Sequence, residues 1–322
     1  MNTKAVIALV LCCALWGISF PIIKAIMIEL REHSPSASSL FFSSWIQMAR
    51  FLAAGAIMIL LSIKRARPTP LEIRQGLILA FWGGIGMWLQ ADGLAYTEAS
   101  TSAFLTQSYC VILPLWVAFR DWRAPRKTTI CAVILVISGG AILAGVSTDN
   151  MKVGRGELAT MASAFFFAFQ ILTLEKPVHA NNRGRSVTLV LCLGIALVFL
   201  PITFAVAPSP NTVLAMGSST SVILLISVLA LFCTVGSFLL MNTYQRYVSS
   251  TEAGLIYTTE PVFAACYALV LPSLIASLIG HPYANEALTI KLIIGGSLII
   301  VANLIVILAM KKREPVHKNP IT

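Results

Sequence analysis

Residues 5–28 read AVIALVLCCALWGISFPIIKAIMI, an apolar run of 24 residues in which Lys24 is the single charged side chain. An α-helix needs about 20 mostly apolar residues to cross the hydrocarbon core of a bilayer. The run is also longer than the apolar core of a signal peptide. We therefore expect it to form an uncleaved first membrane span.

The rest of the sequence has the same character. Of its 322 residues, 57% are hydrophobic and only 11% are charged, with a mean hydropathy of +0.85, whereas soluble domains carry about 25% charged residues. The formal charge of +10 comes from Lys and Arg clusters between apolar runs, without interleaved aromatic residues, so no nucleic-acid partner is expected. The composition predicts an all-α membrane protein in contact with membrane lipids.

Ten apolar segments predict ten transmembrane helices. We place them at 5–28, 40–63, 75–95, 100–119, 128–147, 157–174, 187–207, 222–242, 252–275 and 289–310. The seven cysteines lie inside these segments without metal-ligand spacing, and the four histidines lie outside them. We expect no disulfide, no metal site and no cofactor.

The basic residues predict the orientation of these spans. With the N-terminus in the cytoplasm, 17 of the 23 Lys and Arg residues fall on the cytoplasmic side, within 4, 64–74, 120–127, 176–185, 246 and 311–318. Cytoplasmic loops of membrane proteins carry such an excess. We expect both termini in the cytoplasm, with a short basic tail, and a location in the bacterial inner membrane.

The two halves of the chain resemble each other weakly at an offset of 150 residues. Ala103, Leu105 and Gln107 fall on Ala253, Leu255 and Tyr257, and the Gly139-Gly140 and Gly295-Gly296 pairs match after a small shift. Five spans per half give the halves opposite orientations in the membrane. We therefore predict two inverted five-helix repeats, over residues 1–147 and 148–322, with a binding site between them at mid-membrane.

Several short motifs occur in an order that resembles the EamA-type transporters of the drug/metabolite transporter superfamily. They are Leu15-Trp16-Gly17-Ile18-Ser19-Phe20-Pro21 with Lys24, Arg50-Phe51, Ala95-Tyr96-Thr97, Ala103-Phe104-Leu105-Thr106, Leu113-Pro114-Leu115, Glu260-Pro261-Val262-Phe263-Ala264-Ala265, and the two Gly-Gly pairs. The resemblance implies inverted repeats around a central cavity and, most commonly, export of metabolites or amino acids. The chain departs from the family at Phe166-Phe167-Ala168, where a Trp-Ala pair is frequent.

Two charged residues lie deep inside predicted spans, where charge is costly and each needs a reason. Arg50 is about ten residues from either end of the second span, and Glu260 directly precedes Pro261 in the ninth. Proline cannot donate to the carbonyl four residues back, so the Tyr257 carbonyl is left free. Arg50 could bind an anionic group and Glu260 a substrate amine or a coupling proton, or the two could form a structural ion pair.

Helical spacing groups the remaining candidate binding residues. Gln107 lies on one face of the fourth span, and Tyr257 and Glu260 lie on the matching face of the ninth. Trp16, Phe20, Phe166 and Gln170 form a second symmetric set in the first and sixth spans. For the aromatic residues, ordinary helix or lipid packing is the alternative. Ile299 in the tenth span is expected to face lipid.

Together these features predict a secondary transporter that works by alternating access, and not an enzyme. The substrate would be a small metabolite such as an amino acid, with export implied by the resemblance and protons as a possible coupling ion. The alternative is an intramembrane enzyme acting on a lipid or amphipathic substrate, which would need a buried Ser–His pair or clustered acids for Mg²⁺. A sensor or scaffold would carry a soluble output domain, and no GxxxxGK[ST] loop for ATP occurs.

Overall fold

The structure is a computed structural model that describes residues 3–120, 122, 124–145, 153–174, 176–248, 253 and 256–311. The helices of the first half are α1 (Thr3–His33), α2 (Ser39–Ser62), α3 (Pro70–Leu94), α4 (Ala99–Thr106), α5 (Tyr109–Arg120) and α6 (Lys127–Leu143). Those of the second half are α7 (Arg155–Leu174), α8 (Gly184–Val206), α9 (Pro210–Met216), α10 (Thr220–Val228), α11 (Ser237–Tyr244), α12 (Glu260–Ala268), α13 (Leu271–Ile279) and α14 (Ile290–Lys311). A π-helix, Leu229–Gly236, joins α10 to α11.

Within the described residues, eight helical segments are long and apolar enough to cross a membrane. They are α1, α2, α3, α4 with α5, α7, α8, α10 through α11, and α14. The pair α12 and α13, bent by 57°, and the 17-residue helix α6 coincide with the predicted ninth and fifth spans. The prediction of a multi-pass, all-helical membrane protein is confirmed, while the count of ten spans stays a prediction.

Three predicted spans are not continuous α-helices. The fourth is interrupted at Gln107 and Ser108, where backbone hydrogen bonds run from the Gln107 nitrogen to the Phe104 oxygen and from the Ser108 nitrogen to the Leu105 oxygen. The eighth contains the π-helix, a distortion that is often found at functional sites. The ninth has a turn at Thr258 and Thr259, just before α12.

Helices of the two halves pack against one another in a reciprocal pattern. Helix α2 packs on α8, and α6 packs on α14. Helix α1 contacts α11, the π-helix and α12, and α7 correspondingly contacts α3, α4 and α5. The two Gly-Gly pairs allow the close approach of α6 and α14, because a Cβ atom on Gly139 would lie 2.7 Å from the Gly295 carbonyl oxygen.

The end of the bundle at which α1 begins is called the basic end, after Arg65, Arg67, Arg183 and Arg185 in its loops and helix termini. At the far end, polar pairs join neighbouring segments: Lys24 to Glu98 at 2.8 Å and Arg155 to Asp92 at 2.9 Å. Glu29, also at the far end, is buried and accepts hydrogen bonds from Ser219 and Ser221. The predicted basic tail beyond residue 311 and the loop around Asn150 lie outside the described residues.

Candidate substrate cavity

A cavity of about 70 Å³ lies between the two halves, surrounded by α1, α2, α3, α4, α5, α7, α11 and the segment around α12. Its walls are Trp16, Ser19, Phe20, Arg50, Met87, Gln90, Thr106, Tyr109, Phe167, Gln170, Ile171, Leu174, Phe238, Met241, Tyr257 and Glu260. Most of these side chains are apolar or aromatic. A concave apolar site with a few convergent polar groups is typical of small-molecule binding.

The acidic group of the cavity is held by an amide from the opposite half. Gln107 donates from Nε2 to the Tyr257 carbonyl oxygen at 3.0 Å and to Glu260 Oε2 at 3.3 Å. Pro261 cannot donate to the Tyr257 carbonyl, and it lies in the first turn of α12, where its missing N–H is tolerated. Within the described residues, Glu260 Oε1 has no hydrogen bond, so it is available to a ligand.

Arg50 is buried at the middle of α2 and contacts the π-helix. Its Nε donates to Thr234 Oγ1, and its Nη2 donates to the Cys233 carbonyl oxygen at 3.0 Å. Among the residues that the structure describes, Arg50 makes no ion pair. The Arg50–Glu260 ion pair that the sequence suggested as an alternative is therefore not formed. The physical reason is that backbone and hydroxyl oxygens of the π-helix neutralise part of the guanidinium, while Gln107 holds the carboxylate.

Three aromatic rings make one wall of the cavity. The Trp16 ring lies 5.9 Å from the rings of both Phe238 and Tyr257, and the Tyr257 hydroxyl donates to Gln245 Oε1 at 2.7 Å. Helix α1 can approach α12 this closely because Gly17 carries no side chain: a Cβ atom there would lie 2.9 Å from the Ala264 nitrogen. The aromatic wall is therefore fixed by close helix packing.

The opposite wall depends on two glycines of α3. A Cβ atom on Gly83 would lie 2.5 Å from Gln170 Nε2, and one on Gly86 would lie 2.8 Å from the Phe167 ring. The amide of Gln170 is buried at the cavity, and its Nε2 has no hydrogen-bond partner within the described part of the chain. Buried amide donors are rarely left unpaired, so Gln170 is the group most clearly prepared for a ligand.

Of the eight residues predicted from sequence, the structure brings six to this cavity: Trp16, Phe20, Arg50, Gln170, Tyr257 and Glu260. The other two do not line it. Gln107 is fully buried behind Tyr257 and Glu260, because the break after Thr106 turns Thr106 and Tyr109 toward the cavity instead. The ring of Phe166 contacts Trp82, and its neighbour Phe167 takes the cavity position.

The cavity wall also contains four residues that the sequence patterns do not predict: Gln90, Thr106, Tyr109 and Phe167. Gln90 donates to Thr106 Oγ1 at 3.0 Å, and no spacing rule indicated that the third span contributes to the cavity. Ile299, expected to face lipid, is fully buried because it packs against Gly139 at the α6–α14 contact. The Gly-Gly pair in α6 was the available signal for that burial.

We expect Gly83→Ala to weaken substrate binding without unfolding the protein. The new methyl group would displace the Gln170 amide, which is the flexible end of a side chain, so the cost falls on the cavity and not on the backbone. A rise of about fivefold or more in the transport KM is expected, from loss of one hydrogen bond of about 1 kcal/mol. Gly84→Ala on the same helix, where the nearest atom is Ile195 Cγ1 at 3.3 Å, is the control. An equal effect in both variants would contradict the assignment.

Comparisons of the sequence with known proteins find similarity to membrane transporters. The sequence model of the EamA-like transporter family matches residues 3–145. An uncharacterized transporter from Archaeoglobus fulgidus is 26% identical over 269 residues, which cover 82% of this chain and 77% of that protein. Purine permease 3 from Arabidopsis thaliana is 29% identical over 131 residues, 38% of this chain and 37% of that protein.

The fold also occurs among solved structures. One crystal structure aligns with 94% of this chain and 99% of its own, with a TM-score of 0.54 and 15% sequence identity. At this identity the likeness concerns the fold alone. A multi-pass helical bundle with a cavity between its halves, together with these relatives, defines the class of membrane transporters. Within that class, residues 3–145 match the model of the EamA-like transporter family, in agreement with the resemblance seen in the sequence.

Proposed function

We propose that the protein is a secondary transporter that exports small metabolites, with amino acids as the first candidate class, across the cytoplasmic membrane by alternating access. The observation that carries the proposal is the cavity in which Gln170 Nε2 has no partner among the described residues and which Arg50 and Glu260 both line. A site of this kind between two halves is typical of secondary transporters.

The reciprocal helix packing supports two inverted repeats over residues 1–147 and 148–322. If the halves are exchanged, the contacts of α1 with α11 and α12 become the contacts of α7 with α3 and α4–α5. The interruptions at Gln107–Ser108 and Thr258–Thr259 also correspond at an offset of about 150 residues. Two equivalent halves of opposite orientation can exchange roles, which is the structural basis of alternating access.

The polar groups of the cavity suit an amino acid. Arg50 Nη1 makes no hydrogen bond within the described residues and can donate to a substrate carboxylate, while Glu260 Oε1 can accept from a substrate ammonium group. The aromatic wall of Trp16 and Tyr257 gives apolar contact to a side chain. The proposal therefore assigns the charges to the substrate backbone and the rings to its side chain.

Purines are the second candidate class. Flat heterocycles stack on aromatic side chains and pair with amides such as Gln90 and Gln170, and one relative over part of the chain is a purine permease. Zwitterionic binding requires Arg50 and Glu260, whereas a neutral purine depends mainly on the amides and rings. Variants of the two sets therefore discriminate the classes.

The proposed orientation places both termini in the cytoplasm. It rests on the excess of Lys and Arg at the basic end, where cytoplasmic loops are expected. We expect a periplasmic reporter fused after Asn150 or after Pro208 to be active, and a fusion after Arg67 to be inactive. An active Arg67 fusion together with two inactive fusions after Asn150 and Pro208 would indicate the opposite orientation. A mixed pattern would contradict the ten-span arrangement.

The direct test of the proposal is a screen with the purified protein in proteoliposomes. Labelled amino acids and purines are offered with and without a pH gradient, since protons are the proposed coupling ion. Saturable accumulation that requires the protein supports transport. Chemical conversion of a lipid or amphipathic substrate, without movement of any solute, would instead favour the intramembrane enzyme.

A further inference from the structure

A second cleft lies at the basic end, away from the central cavity. Its volume is about 680 Å³, and it separates the end of α2, the loop between α2 and α3, and the start of α8. It is lined by Ile59, Ser62, Ile63, Arg65, Ala66, Arg67, Pro68, Arg183, Arg185, Ser186 and Leu189. Four arginines therefore surround one space, which we call the arginine cleft.

One of the four arginines is structural. Arg183 forms an ion pair with Glu72 at 2.8 Å and donates to the carbonyl oxygens of Ala66 and Arg67 at 3.3 and 2.7 Å. These contacts fix the loop between α2 and α3 against α8. The negative charge of Glu72 is thereby neutralised.

Among the described residues, no carboxylate pairs with the other three arginines. Arg185 donates to the Leu61 carbonyl oxygen at 3.0 Å, and within the described residues Arg65 and Arg67 form no ion pair. The Ser62 hydroxyl is enclosed at the cleft and has no hydrogen-bond partner in the part of the chain that the structure describes. Helix α8 also begins there, and the positive end of its dipole favours an anion, as the hydrogen bond from the Arg183 N–H to Glu72 Oε1 at 2.8 Å illustrates.

The walls of the cleft are cationic in one part and apolar in another. The arginines lie near the ends of α2 and α8, where phospholipid headgroups are expected, whereas Ile59 and Leu189 lie within these two spans and Ile63 directly follows α2. Ile59 and Ile63 are 47% and 68% exposed on the outside of the bundle. Cationic groups above an apolar, lipid-accessible wall match a phosphodiester headgroup with its acyl chains.

We infer that the arginine cleft is a binding site for an anionic phospholipid, with Arg65, Arg67 and Arg185 as ligands of the phosphate. A bound lipid would contact α2 of the first half and α8 of the second. The inference does not depend on which solute the central cavity transports.

The test measures lipid binding to the purified, delipidated full-length chain by native mass spectrometry. Phosphatidylglycerol is titrated against the wild type, against Arg65→Gln/Arg67→Gln/Arg185→Gln, and against a charge-matched control, Arg126→Gln/Lys127→Gln/Lys176→Gln, whose residues are exposed outside the cleft. Arg183 is left unchanged because it holds Glu72. Thermal unfolding in detergent verifies that each variant is folded, and an Arg→Lys version of the cleft variant is available if the Gln version unfolds.

We expect one phosphatidylglycerol to bind the wild type and the control with similar affinity and the cleft variant at least about tenfold more weakly. The Lys version should lose part of the affinity, because it keeps the charge but not the forked donors. Equal losses in the cleft variant and the control would overturn the inference, as would equal binding of phosphatidylcholine. Displacement of the lipid by millimolar inorganic phosphate would assign the cleft to a soluble anion instead.

Discussion

Glu260→Gln is expected to abolish transport driven by a pH gradient and to leave the fold intact. The glutamine keeps the size of the side chain and an oxygen that can accept the Gln107 Nε2 hydrogen bond, which is 3.3 Å long in the wild type. It cannot bind or release a proton, so coupling through this residue is lost. We expect proton-driven flux in proteoliposomes to fall by about 100-fold, with a neutral purine still bound and an amino acid bound more weakly, because the contact with its ammonium group is lost.

The control for this variant is Glu157→Gln. Glu157 also carries a carboxylate that accepts a hydrogen bond, from Thr97 Oγ1 at 2.8 Å, but it lies at the far end outside the cavity. Flux should remain near the wild-type value in this control. Full pH-driven flux in Glu260→Gln would remove Glu260 as the coupling residue.

Arg50→Met is expected to reduce transport strongly and stability only slightly. The two acceptors of Arg50 keep other contacts, since the Cys233 carbonyl also accepts from Ser237 Oγ at 2.7 Å and Thr234 Oγ1 also bonds to the Leu229 carbonyl at 2.8 Å. The Cys233 carbonyl therefore keeps a donor, and the Thr234 hydroxyl loses one accepted bond but keeps the bond that it donates, so we expect a loss of no more than about 2 kcal/mol in unfolding free energy. Transport of an amino acid should fall by at least about tenfold, because the cationic contact with its carboxylate is gone.

A double-mutant cycle tests whether Arg50 and Glu260 pair in the resting protein. Because the structure shows no ion pair between them, the stability effects of Arg50→Met and Glu260→Gln should add within about 0.5 kcal/mol. Unfolding in detergent is the measurement. Recovery of both stability and transport in the double variant would instead identify a structural ion pair, as expected when both partners of a buried pair are replaced.

The helices and the general position of the cavity follow from local features of the sequence. Long apolar runs specify spans such as α1 and α8 because every backbone polar group must be satisfied inside the bilayer. Arg50 and Glu260 could be recognised because charge at mid-membrane requires a function or a partner. Trp16 and Phe20 were found from their spacing of four residues on one helix.

Other features depend on tertiary contacts that the sequence does not reveal. A continuous helical repeat predicts that Gln107 faces the cavity, but the fourth span is interrupted after Thr106, so Thr106 and Tyr109 line the cavity and Gln107 lies behind its wall. A shift of one residue between the two halves rotates a helical position by about 100°. The offset of 150 residues therefore predicts Phe166 at the cavity, where the structure places Phe167. The burial of Glu29 depends on Ser219 and Ser221, about 190 residues away in the sequence.

The central claim is that substrate occupies the cavity beside Gln170. The most direct measurement is the rate at which a thiol reagent modifies Gln170→Cys in reconstituted protein, read by peptide mass spectrometry so that native cysteines do not interfere. The lipid-facing variant Leu197→Cys, at a position 71% exposed on α8, is the control. We predict that a transported solute slows modification at position 170 by about fivefold or more and leaves position 197 unchanged. A solute that is transported but protects neither position would contradict the account.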